Sequence, residues 1–422
     1  MPPRITRQEG LTAGMVVRVL RPEGKGFIFL DSHPAGCAAT VDAMISEAAR
    51  EGGGAGGVTR GARPRALVVG CSAGYGLAAA VAGLFGYGAS VIGVCLERTA
   101  TSRRSASPGW YRTATLAARA ADSGLVFEAV NGDCFDPAVR ADVLSRVAAL
   151  FGQVDVLIYS VAAPRRTDSR TGTVYRSAVK PIGAAYHSRN VAFADGVVLR
   201  DSTAEPASDD EVEATVKVMG GEDWETWIAD LAQRDMLAPG FHTAALTYVG
   251  SELTAPIYRL GTIGRAKDHL EATAARLTGG VLSQVDGAAL TCAHSAAVTM
   301  SSLAIPGISL YLSLLHNVAG DAAESPVRQS ARLWEHLTGR DLGRTDALGR
   351  LRLDDWELAA LVQGELRRRW QSGTGELLSG LADLDWFRRQ IWQLYGFDVP
   401  GVDYDKPVEV DVPWPSRGWP AN

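Results

Sequence analysis

The sequence predicts an α/β protein built on a doubly wound parallel sheet, with further elements before and after it. The first observation behind this prediction is the stretch 65–80, RALVVGCSAGYGLAAA, which has the pattern of a buried strand, a glycine turn and a helix. The second is a series of later apolar runs, each long enough for a buried strand, with helical stretches between them. Such alternation produces parallel sheets, in which the loops at the carboxyl ends of the strands line a ligand crevice.

Three glycines shape the turn after the first strand of this core. Gly70, Gly74 and Gly76 follow Ala66–Val69 and lead into Leu77–Leu84, a small apolar segment with nothing to stop a helix. Such a turn gathers backbone N–H groups and a helix N-terminus at one spot, where a pyrophosphate can bind. The spacing G-x-x-x-G-x-G is typical of Rossmann-like enzymes of the short-chain-dehydrogenase type.

The other elements are predicted from apolar runs and from the polar or glycine-rich breaks between them. Further core strands are expected at Ala89–Leu96, Leu125–Val130, Val154–Tyr159, Ala244–Val249 and Ala288–Ala293. Helices are expected at Ala38–Arg50, Pro137–Leu150, Asp209–Met219, Glu222–Asp235, Tyr258–Leu277 and, after a loop, within Ser301–Asn317.

We expect residues 1–422 to form a single large α/β domain with three parts. Residues 1–64 contribute two strands around a Pro-Glu-Gly turn, a helix and a glycine-rich loop. Residues 65–325 form the Rossmann-like core, with an inserted hairpin near 165–205. Residues 326–422 form a helical C-terminal elaboration. The tryptophans expected to anchor its packing are Trp334, Trp356, Trp370, Trp386 and Trp392.

Composition disfavours several classes of protein. The formal net charge of −5 and the lack of a long basic run disfavour nucleic-acid binding. No apolar run reaches the ~18 residues of a membrane span, and the start, MPPRITRQEG, does not resemble a signal peptide, so we expect a cytoplasmic protein. We also expect a monomer or weak dimer. A metal site is not expected, because the seven histidines lack the spacing of metal ligands. The scattered cysteines expected to be buried thiols, outside any disulfide framework, are Cys37, Cys71, Cys95, Cys134 and Cys292.

Two acidic residues follow the second and third strands of the core. Glu97, 21 residues beyond Gly76, can accept hydrogen bonds from both adenine-ribose hydroxyls and repel the 2′-phosphate of NADPH. Arg98 could pair with that phosphate, but the balance favours NADH over NADPH. The alternative is that Glu97 is simply the first solvated residue after a strand. Asp133 is expected to contact the adenine amino group or to cap the helix that begins at Pro137, and both roles can coexist.

Two tyrosines and a lysine are the candidate catalytic residues, and all three lie within 247–267, TYVGSELTAPIYRLGTIGRAK. Tyr248 and Tyr258 are ten residues apart, and Lys267 follows nine residues after the second. Hydride transfer to a double bond or carbonyl leaves negative charge on an oxygen, which a phenol can bind or protonate. Because the pKa of tyrosine is about 10, a phenol alone is a poor acid or base near neutral pH. A nearby lysine ammonium improves it by favouring the charged form, and the same ammonium can hold the nicotinamide ribose. The alternative is that Tyr258 is merely buried after Pro256 and that Lys267 is a surface charge.

Taken in order, these stretches resemble the FabV-type enoyl-acyl-carrier-protein reductase and trans-2-enoyl-CoA reductase family nearly end to end. The similar blocks are RPEGKGFIFLDSHPAGC, GCSAGYGLA, YSVAAPRRTDSRTGTVYRSAVKPIG, VKVMGGEDWETWI, TYVGSELTAPIYRLGTIGRAK, AVTMSSLAIP, LDDWEL and YGFDVPGVDYD. The resemblance implies NADH-dependent reduction of the C2=C3 double bond of a trans-2-enoyl thioester on CoA or acyl carrier protein. It implies hydride addition at the β-carbon and protonation at the α-carbon.

The resemblance also implies roles for individual residues. Tyr258 and Lys267 match the catalytic Y-x8-K pattern, Tyr248 matches the phenol that contacts substrate, and Glu97 matches a position associated with preferring NADH. The residues implied to bind the cofactor are Gly70, Cys71, Ser72, Ala73, Gly74, Tyr75, Leu96, Glu97, Asp133, Cys134, Val161, Ala162, Lys267, Ala297, Val298 and Thr299.

The chain departs from the family pattern close to the expected acyl site, which leaves acyl length and carrier open. The departures are Ala255, Arg259, Met300 and Leu303. Two other functions also stay open at this point. One is NAD(P)H-dependent reduction of a ketone or imine of a specialised metabolite with the same tyrosine and lysine. The other is an NAD(H)-binding regulatory subunit without turnover, against which the intact Tyr258, Lys267 and Tyr248 argue.

Overall fold

The computed structural model describes residues 17–52, 63–194, 196–340, 343–372 and 378–415. Its strands are β1 (Val17–Arg18), β2 (Gly24–Lys25), β3 (Ile28–Phe29), β4 (Arg65–Val69), β5 (Ser90–Cys95), β6 (Phe127–Asn131), β7 (Val154–Tyr159), β8 (Arg165–Thr167), β9 (Val174–Arg176), β10 (Tyr186–Ala194), β11 (Gly196–Ala204), β12 (Leu237–Tyr248), β13 (Ala288–His294), β14 (Leu351–Arg352) and β15 (Val408–Glu409). Its α-helices are α1 (Pro34–Glu51), α2 (Gly74–Val81), α3 (Pro108–Asp122), α4 (Pro137–Leu150), α5 (Asp209–Met219), α6 (Glu222–Gln233), α7 (Thr262–Gly279), α8 (Ile308–Ala319), α9 (Pro326–Leu337), α10 (Ala360–Ser372), α11 (Leu378–Leu381) and α12 (Leu384–Leu394).

Seven parallel strands form the central sheet, in the order β14-β13-β12-β7-β4-β5-β6. From β4 the chain builds outward through β5 and β6. It then returns to the other side of β4 with β7 and continues outward through β12, β13 and β14. The strand order therefore reverses between β4 and β7, which is where open sheets of this kind bind ligands. The predicted doubly wound parallel sheet is confirmed.

Strand β4 illustrates how helices cover both faces of this sheet. Ala66 and Val68 belong to one apolar cluster, and Leu67 and Val69 to another, because successive side chains of a strand point to opposite faces. The first cluster includes side chains of α1, α2, α3 and α9, and the second includes side chains of α4, α6 and α7. Burial on both faces explains why these strands are continuously apolar rather than alternating.

The N-terminal and C-terminal parts pack against this core. Strand β1 pairs with β15, so segments from opposite ends of the chain meet. The indole of Trp334 on α9 is fully buried and donates a hydrogen bond to the carbonyl oxygen of Ala79 on α2 at 2.8 Å. A third apolar cluster joins the hairpin β10–β11 to α8, α10 and α12. The division into residues 1–64, 65–325 and 326–422 stays a prediction.

Several predicted elements need correction. The excursion at 165–205 contains two hairpins, β8–β9 and β10–β11, rather than one. The sheet has the additional strand β14, which is too short to give a sequence pattern. The N-terminal turn lies at Gly26, with φ +62°, because Gly24 already belongs to β2. Most of the predicted glycine-rich loop, residues 53–62, lies outside the described residues.

Other features concern membranes, metals and thiols. Within the described ranges, no helix has the length and apolar character needed to cross a bilayer. The same ranges contain no group of His, Cys, Asp or Glu side chains arranged to hold a metal ion. All five cysteines are free; four are buried as predicted, and Cys134 is only partly buried.

We expect Trp334→Ala to lower the free energy of unfolding by about 3–5 kcal/mol, because it removes a fully buried aromatic side chain and its hydrogen bond. Leu361→Ala is the matched control, since Leu361 is 89% exposed and its truncation is expected to stay within about 0.5 kcal/mol. Chemical denaturation of both variants measures the difference. Equal losses would contradict the assignment of Trp334 to the core.

Candidate active site

The glycine turn leaves β4 where the strand order reverses. Gly70 has a φ of +93°, and a Cβ atom there would lie 2.1 Å from the carbonyl oxygen of Ser160. A Cβ atom at Gly76 would lie 1.9 Å from the carbonyl oxygen of Gly70, so α2 approaches the turn this closely only with glycine. The N-cap residue Ala73 makes no side-chain hydrogen bond to the first turn of α2. The N–H groups of that turn are therefore available to an anion.

The carboxylate of Glu97 is held beside this turn by two hydroxyl groups. It accepts hydrogen bonds from Ser72, at 2.6 Å, and from Ser107. The side chain of Asn131 binds the backbone N–H and C=O of Glu97 at 2.7 and 3.0 Å. Glu97 is thus an ordered group next to the turn, in contrast to the alternative of a freely solvated residue. Arg98 follows it as an exposed residue.

Asp133 lies at the same edge of the sheet, after β6. Its carboxylate accepts a hydrogen bond from the N–H of Phe135 at 3.0 Å, whereas Asp136 caps α4. The alternative that Asp133 caps this helix is therefore wrong, and its contact with adenine stays a prediction. Cys134 beside it is partly buried, and Leu96 presents an apolar surface that is 69% exposed.

Two further loops carry the residues predicted at the nicotinamide end. Residues 161–162 follow β7, and residues 297–299 follow β13. The methyl group of Thr299 would lie 3.4 Å from a Cβ atom placed on Gly74, so this loop contacts the glycine turn. The sheet therefore brings the predicted cofactor residues of β4, β7 and β13 to neighbouring positions at one edge.

Tyr75 provides a second link between the turn and the loop after β13. Its hydroxyl donates a hydrogen bond to the carbonyl oxygen of Ser295, and its ring centroid lies 4.4 Å from that of His294. Burial lowers the pKa of His294 to about 4, so this ring is neutral near pH 7. The contacts hold the first turn of α2 against the predicted nicotinamide side of the crevice.

The two predicted phenols lie against each other. Tyr248 ends β12, and the centroids of the Tyr248 and Tyr258 rings are 5.0 Å apart at an angle of 62°. Tyr258 does not lie on the predicted helix, because α7 begins only at Thr262 and Tyr258 belongs to the turns before it. The residue is 8% exposed, and burial raises the pKa of its phenol, with the Arg259 guanidinium opposing that shift.

Lys267 lies on α7 and is only 6% exposed, so the alternative of a surface charge is wrong. Burial lowers the pKa of its ammonium to about 8, while the carboxylate of Glu271 opposes this effect. Among the described residues, the ammonium has no hydrogen bond or ion pair. It is therefore a buried cation with its hydrogen-bonding capacity unused by the chain.

A buried carboxylate that the sequence did not identify completes the site. Glu357 is fully buried and accepts hydrogen bonds from the hydroxyls of Tyr248 and Tyr311, at 3.0 and 2.6 Å. Its other oxygen accepts a hydrogen bond from the N–H of Ala296 at 2.5 Å. The residue belongs to the block LDDWEL, but nothing in a local run of acidic residues distinguishes one that is buried 109 positions from its phenol partner.

These contacts form one continuous site from the glycine turn to the two phenols. The parallel sheet, the ordered acid after β5, and the buried Tyr258 and Lys267 together define the class of NAD(P)H-dependent oxidoreductases with a short-chain-dehydrogenase-like fold. The close backbone approach at Gly70 and the uncapped N-terminus of α2 fit the pyrophosphate of such a dinucleotide.

Comparison with known proteins gives the family. A family model described as "Trans-2-enoyl-CoA reductase catalytic region" matches residues 104–338, and one described as "NAD(P)H binding domain of trans-2-enoyl-CoA reductase" matches residues 19–102. The chain therefore belongs to the trans-2-enoyl-CoA reductase family, which confirms the resemblance. An enoyl-acyl-carrier-protein reductase (NADH) of Streptomyces avermitilis is 50% identical over 405 residues, which cover 94% of this chain and 100% of the relative.

Two solved structures are similar over nearly the whole chain. Clostridium acetobutulicum trans-2-enoyl-CoA reductase in complex with NADH has a TM-score of 0.86 at 33% identity, covering 93% of this chain and 98% of its own. Treponema denticola trans-2-enoyl-CoA reductase in complex with NAD has a TM-score of 0.85 at 36% identity, covering 94% and 99%.

A third family model, described as "Enoyl reductase FAD binding domain", matches residues 345–408. Within the described part of this stretch, β14 leads through the buried Asp354 and Glu357 to α10, without a glycine turn between strand and helix. The side chains of Arg350 and Arg352 are engaged with carboxylates, including Asp346. The described residues of this stretch therefore do not form a dinucleotide cradle.

We expect Lys267→Met to stabilise the fold at neutral pH, because a buried ammonium whose pKa falls to about 8 opposes folding. The gain is on the order of 3 kcal/mol if the unfolded lysine has its ordinary pKa. The destabilisation of the wild-type fold by this ammonium is present in full below pH 8. Above pH 8 the lysine is neutral in the folded state but still protonated in the unfolded state. The stability of the wild type therefore rises relative to that of the variant. Thermal unfolding of both proteins from pH 6.5 to 9.5 measures this, and a constant difference would contradict it.

Proposed function

We propose that this chain catalyses NADH-dependent reduction of the C2=C3 double bond of trans-2-enoyl thioesters. The observation that carries the proposal is the contact between the Tyr248 and Tyr258 rings, which are linked to the loop beside a nucleotide-type glycine turn. Lys267 on α7 adds a buried ammonium without a partner in the described part of the chain. Hydrogen bonds from Tyr248 through Glu357 to Ala296 link these phenols to the loop that contacts the turn. Family membership and the NADH-dependent activity in the name of the Streptomyces relative support the same reaction.

The cofactor-binding role falls to the residues around the glycine turn and the two loops beside it. NADH, when bound, supplies the hydride that reduces the β-carbon of the substrate. The first turn of α2 offers N–H groups to the pyrophosphate, and Glu97 accepts hydrogen bonds from the adenine ribose. The ammonium of Lys267 has unused donors and can hold the nicotinamide ribose. Residues 161–162 and 297–299 would enclose the nicotinamide, with Asp133 and Cys134 at the adenine.

The substrate role falls to the two phenols. Hydride addition at the β-carbon leaves negative charge on the thioester oxygen, forming an enolate that is protonated at the α-carbon. Tyr258 donates a hydrogen bond to that oxygen, and burial keeps this phenol protonated by raising its pKa. A preorganised donor of this kind stabilises the transition state by roughly 3–4 kcal/mol. Tyr248 contacts the same thioester from the neighbouring position.

The carrier and acyl length are set by residues around this centre. Relatives named for acyl-carrier-protein and for CoA substrates both cover the chain, so we infer a thioester substrate and leave its carrier to experiment. Arg259 is bound to Asp268 and Glu271, at 2.9 and 3.0 Å, which orders it next to Tyr258. Met300 follows the loop 297–299 and is 45% exposed, and we propose that it contacts the acyl chain. A cytoplasmic monomer or weak dimer remains part of this proposal.

A thioester panel tests the function. Purified protein is mixed with NADH or NADPH and with crotonyl-CoA, longer trans-2-enoyl-CoA substrates and the same acyl groups on acyl carrier protein, while nicotinamide absorbance is followed. We expect absorbance to fall with enoyl thioesters and NADH. Turnover of a ketone or imine where thioesters are inert would favour that alternative activity. NADH binding without any turnover would favour a regulatory subunit.

We expect Tyr258→Phe to lower kcat at least ~100-fold, because the enolate oxygen loses its donor while the ring and its packing remain. The dissociation constant for NADH, measured by fluorescence titration, should stay near the wild-type value. Unchanged turnover would remove Tyr258 from the mechanism.

We expect Glu97→Ala to reduce the preference for NADH over NADPH about tenfold, because it removes both the acceptor for the ribose hydroxyls and the charge that repels a 2′-phosphate. The ratio of kcat/KM values for the two cofactors measures this, with Arg98→Ala as the comparison variant. A preference that changes only in the Arg98 variant would assign cofactor choice to the arginine.

A further inference from the structure

Glu357 is a carboxylate without a countercharge. It is fully buried, and its hydrogen bonds come from two neutral phenols and one backbone N–H. Within the described ranges, no Lys, Arg or His side chain forms an ion pair with it. A buried carboxylate in such surroundings is costly when ionised, and this cost favours its protonated form.

The hydrogen-bonding capacity of Tyr248 depends on this carboxylate. A phenol has one O–H donor, and in the observed arrangement Tyr248 directs it to Oε1 of Glu357. While Glu357 is ionised, Tyr248 can therefore only accept a hydrogen bond from a substrate. If Glu357 is protonated on Oε1, Oε2 still accepts from the N–H of Ala296. The proton on Oε1 can be donated to the phenol oxygen, which frees the O–H of Tyr248 for the substrate oxygen.

We propose that Glu357 is a positioning residue for the reaction, which in its protonated form turns the single O–H of Tyr248 toward the thioester oxygen. The proposal rests on the proposed function and adds to it a residue from the C-terminal elaboration. Glu357 acts only through Tyr248 and through the loop it holds at Ala296, and it transfers no proton to the substrate.

The protonation of Glu357 falls in an accessible pH range. Burial raises its pKa to about 7, while hydrogen bonds from Tyr311, Ala296 and Tyr248 oppose the rise and Asp354 adds to it. The titratable groups that face it are Tyr75, Tyr248, Tyr311 and Asp354. Because the effective form is the acid, kcat/KM should fall as pH rises through this value.

Glu357→Gln separates this role from a merely structural one. The amide oxygen of the glutamine must accept from Ala296, so its NH2 group faces Tyr248 and Tyr311 and donates to both phenols. The variant therefore resembles the protonated acid at every pH. We expect wild-type kcat/KM for an enoyl thioester to fall at least about tenfold from pH 6 to 8. The kcat/KM of Glu357→Gln should fall less than about threefold, and this smaller fall comes from deprotonation of Lys267.

Two further variants complete the experiment, with thermal unfolding recorded for each. Asp355→Asn is the matched control from the same segment, because Asp355 is exposed and pairs with Arg332, and its profile should follow the wild type. Tyr311→Phe removes a donor that favours the ionised form, so the alkaline limb should move to higher pH even if Glu357→Gln does not fold.

The outcomes separate this inference from the proposed function. A wild-type profile retained in both Glu357→Gln and Tyr311→Phe, or a loss of activity that is uniform across pH in the glutamine variant, would overturn the role of Glu357 while leaving the reaction intact. A wild-type protein that oxidises no NADH with any enoyl thioester would overturn both.

Discussion

The carbonyl group of Ser160 lies where any side chain at position 70 would have to be, since a Cβ there would come within 2.1 Å of it. This close packing of backbone against backbone joins the ends of β4 and β7 at the reversal of strand order. It requires glycine, and it lets the chain turn sharply into α2. The crevice, the position of the first N–H groups of α2 and the approach of the loops after β7 and β13 all follow from this one contact.

The other half of the site is built by segments far apart in the chain. Tyr248 is delivered by β12, Tyr258 by the turns before α7, Tyr311 by α8 and Glu357 by the segment after β14. The three phenols belong to or pack against the apolar cluster of α8, α10 and α12, and hydrogen bonds join Glu357 to two of them. Because these side chains meet only through that packing, the C-terminal elaboration is part of the site rather than an appendage to the nucleotide-binding core.

The site also places ionisable groups where burial disfavours their charged forms. Glu357 lies against two phenols and Lys267 is buried on α7, and burial moves the pKa values of both toward neutrality. Such groups lower the free energy of unfolding. The apolar cluster on one face of the sheet and that on the other offset this loss by burying apolar side chains. The same low polarity strengthens any hydrogen bond made to developing charge on a substrate.

The sequence by itself determined the parallel sheet and the glycine turn, because continuous apolar runs and glycine spacing are local properties of a chain. It also singled out Tyr258 and Lys267 through a short motif, and their joint role stays a prediction. It also indicated the acid at Glu97. Only the tertiary structure decided that Lys267 is buried, that Asp136 rather than Asp133 caps α4, and that Glu357 reaches Tyr248. Burial and long-range hydrogen bonds depend on which segments pack together, and a single residue in a polar turn carries no local sign of that.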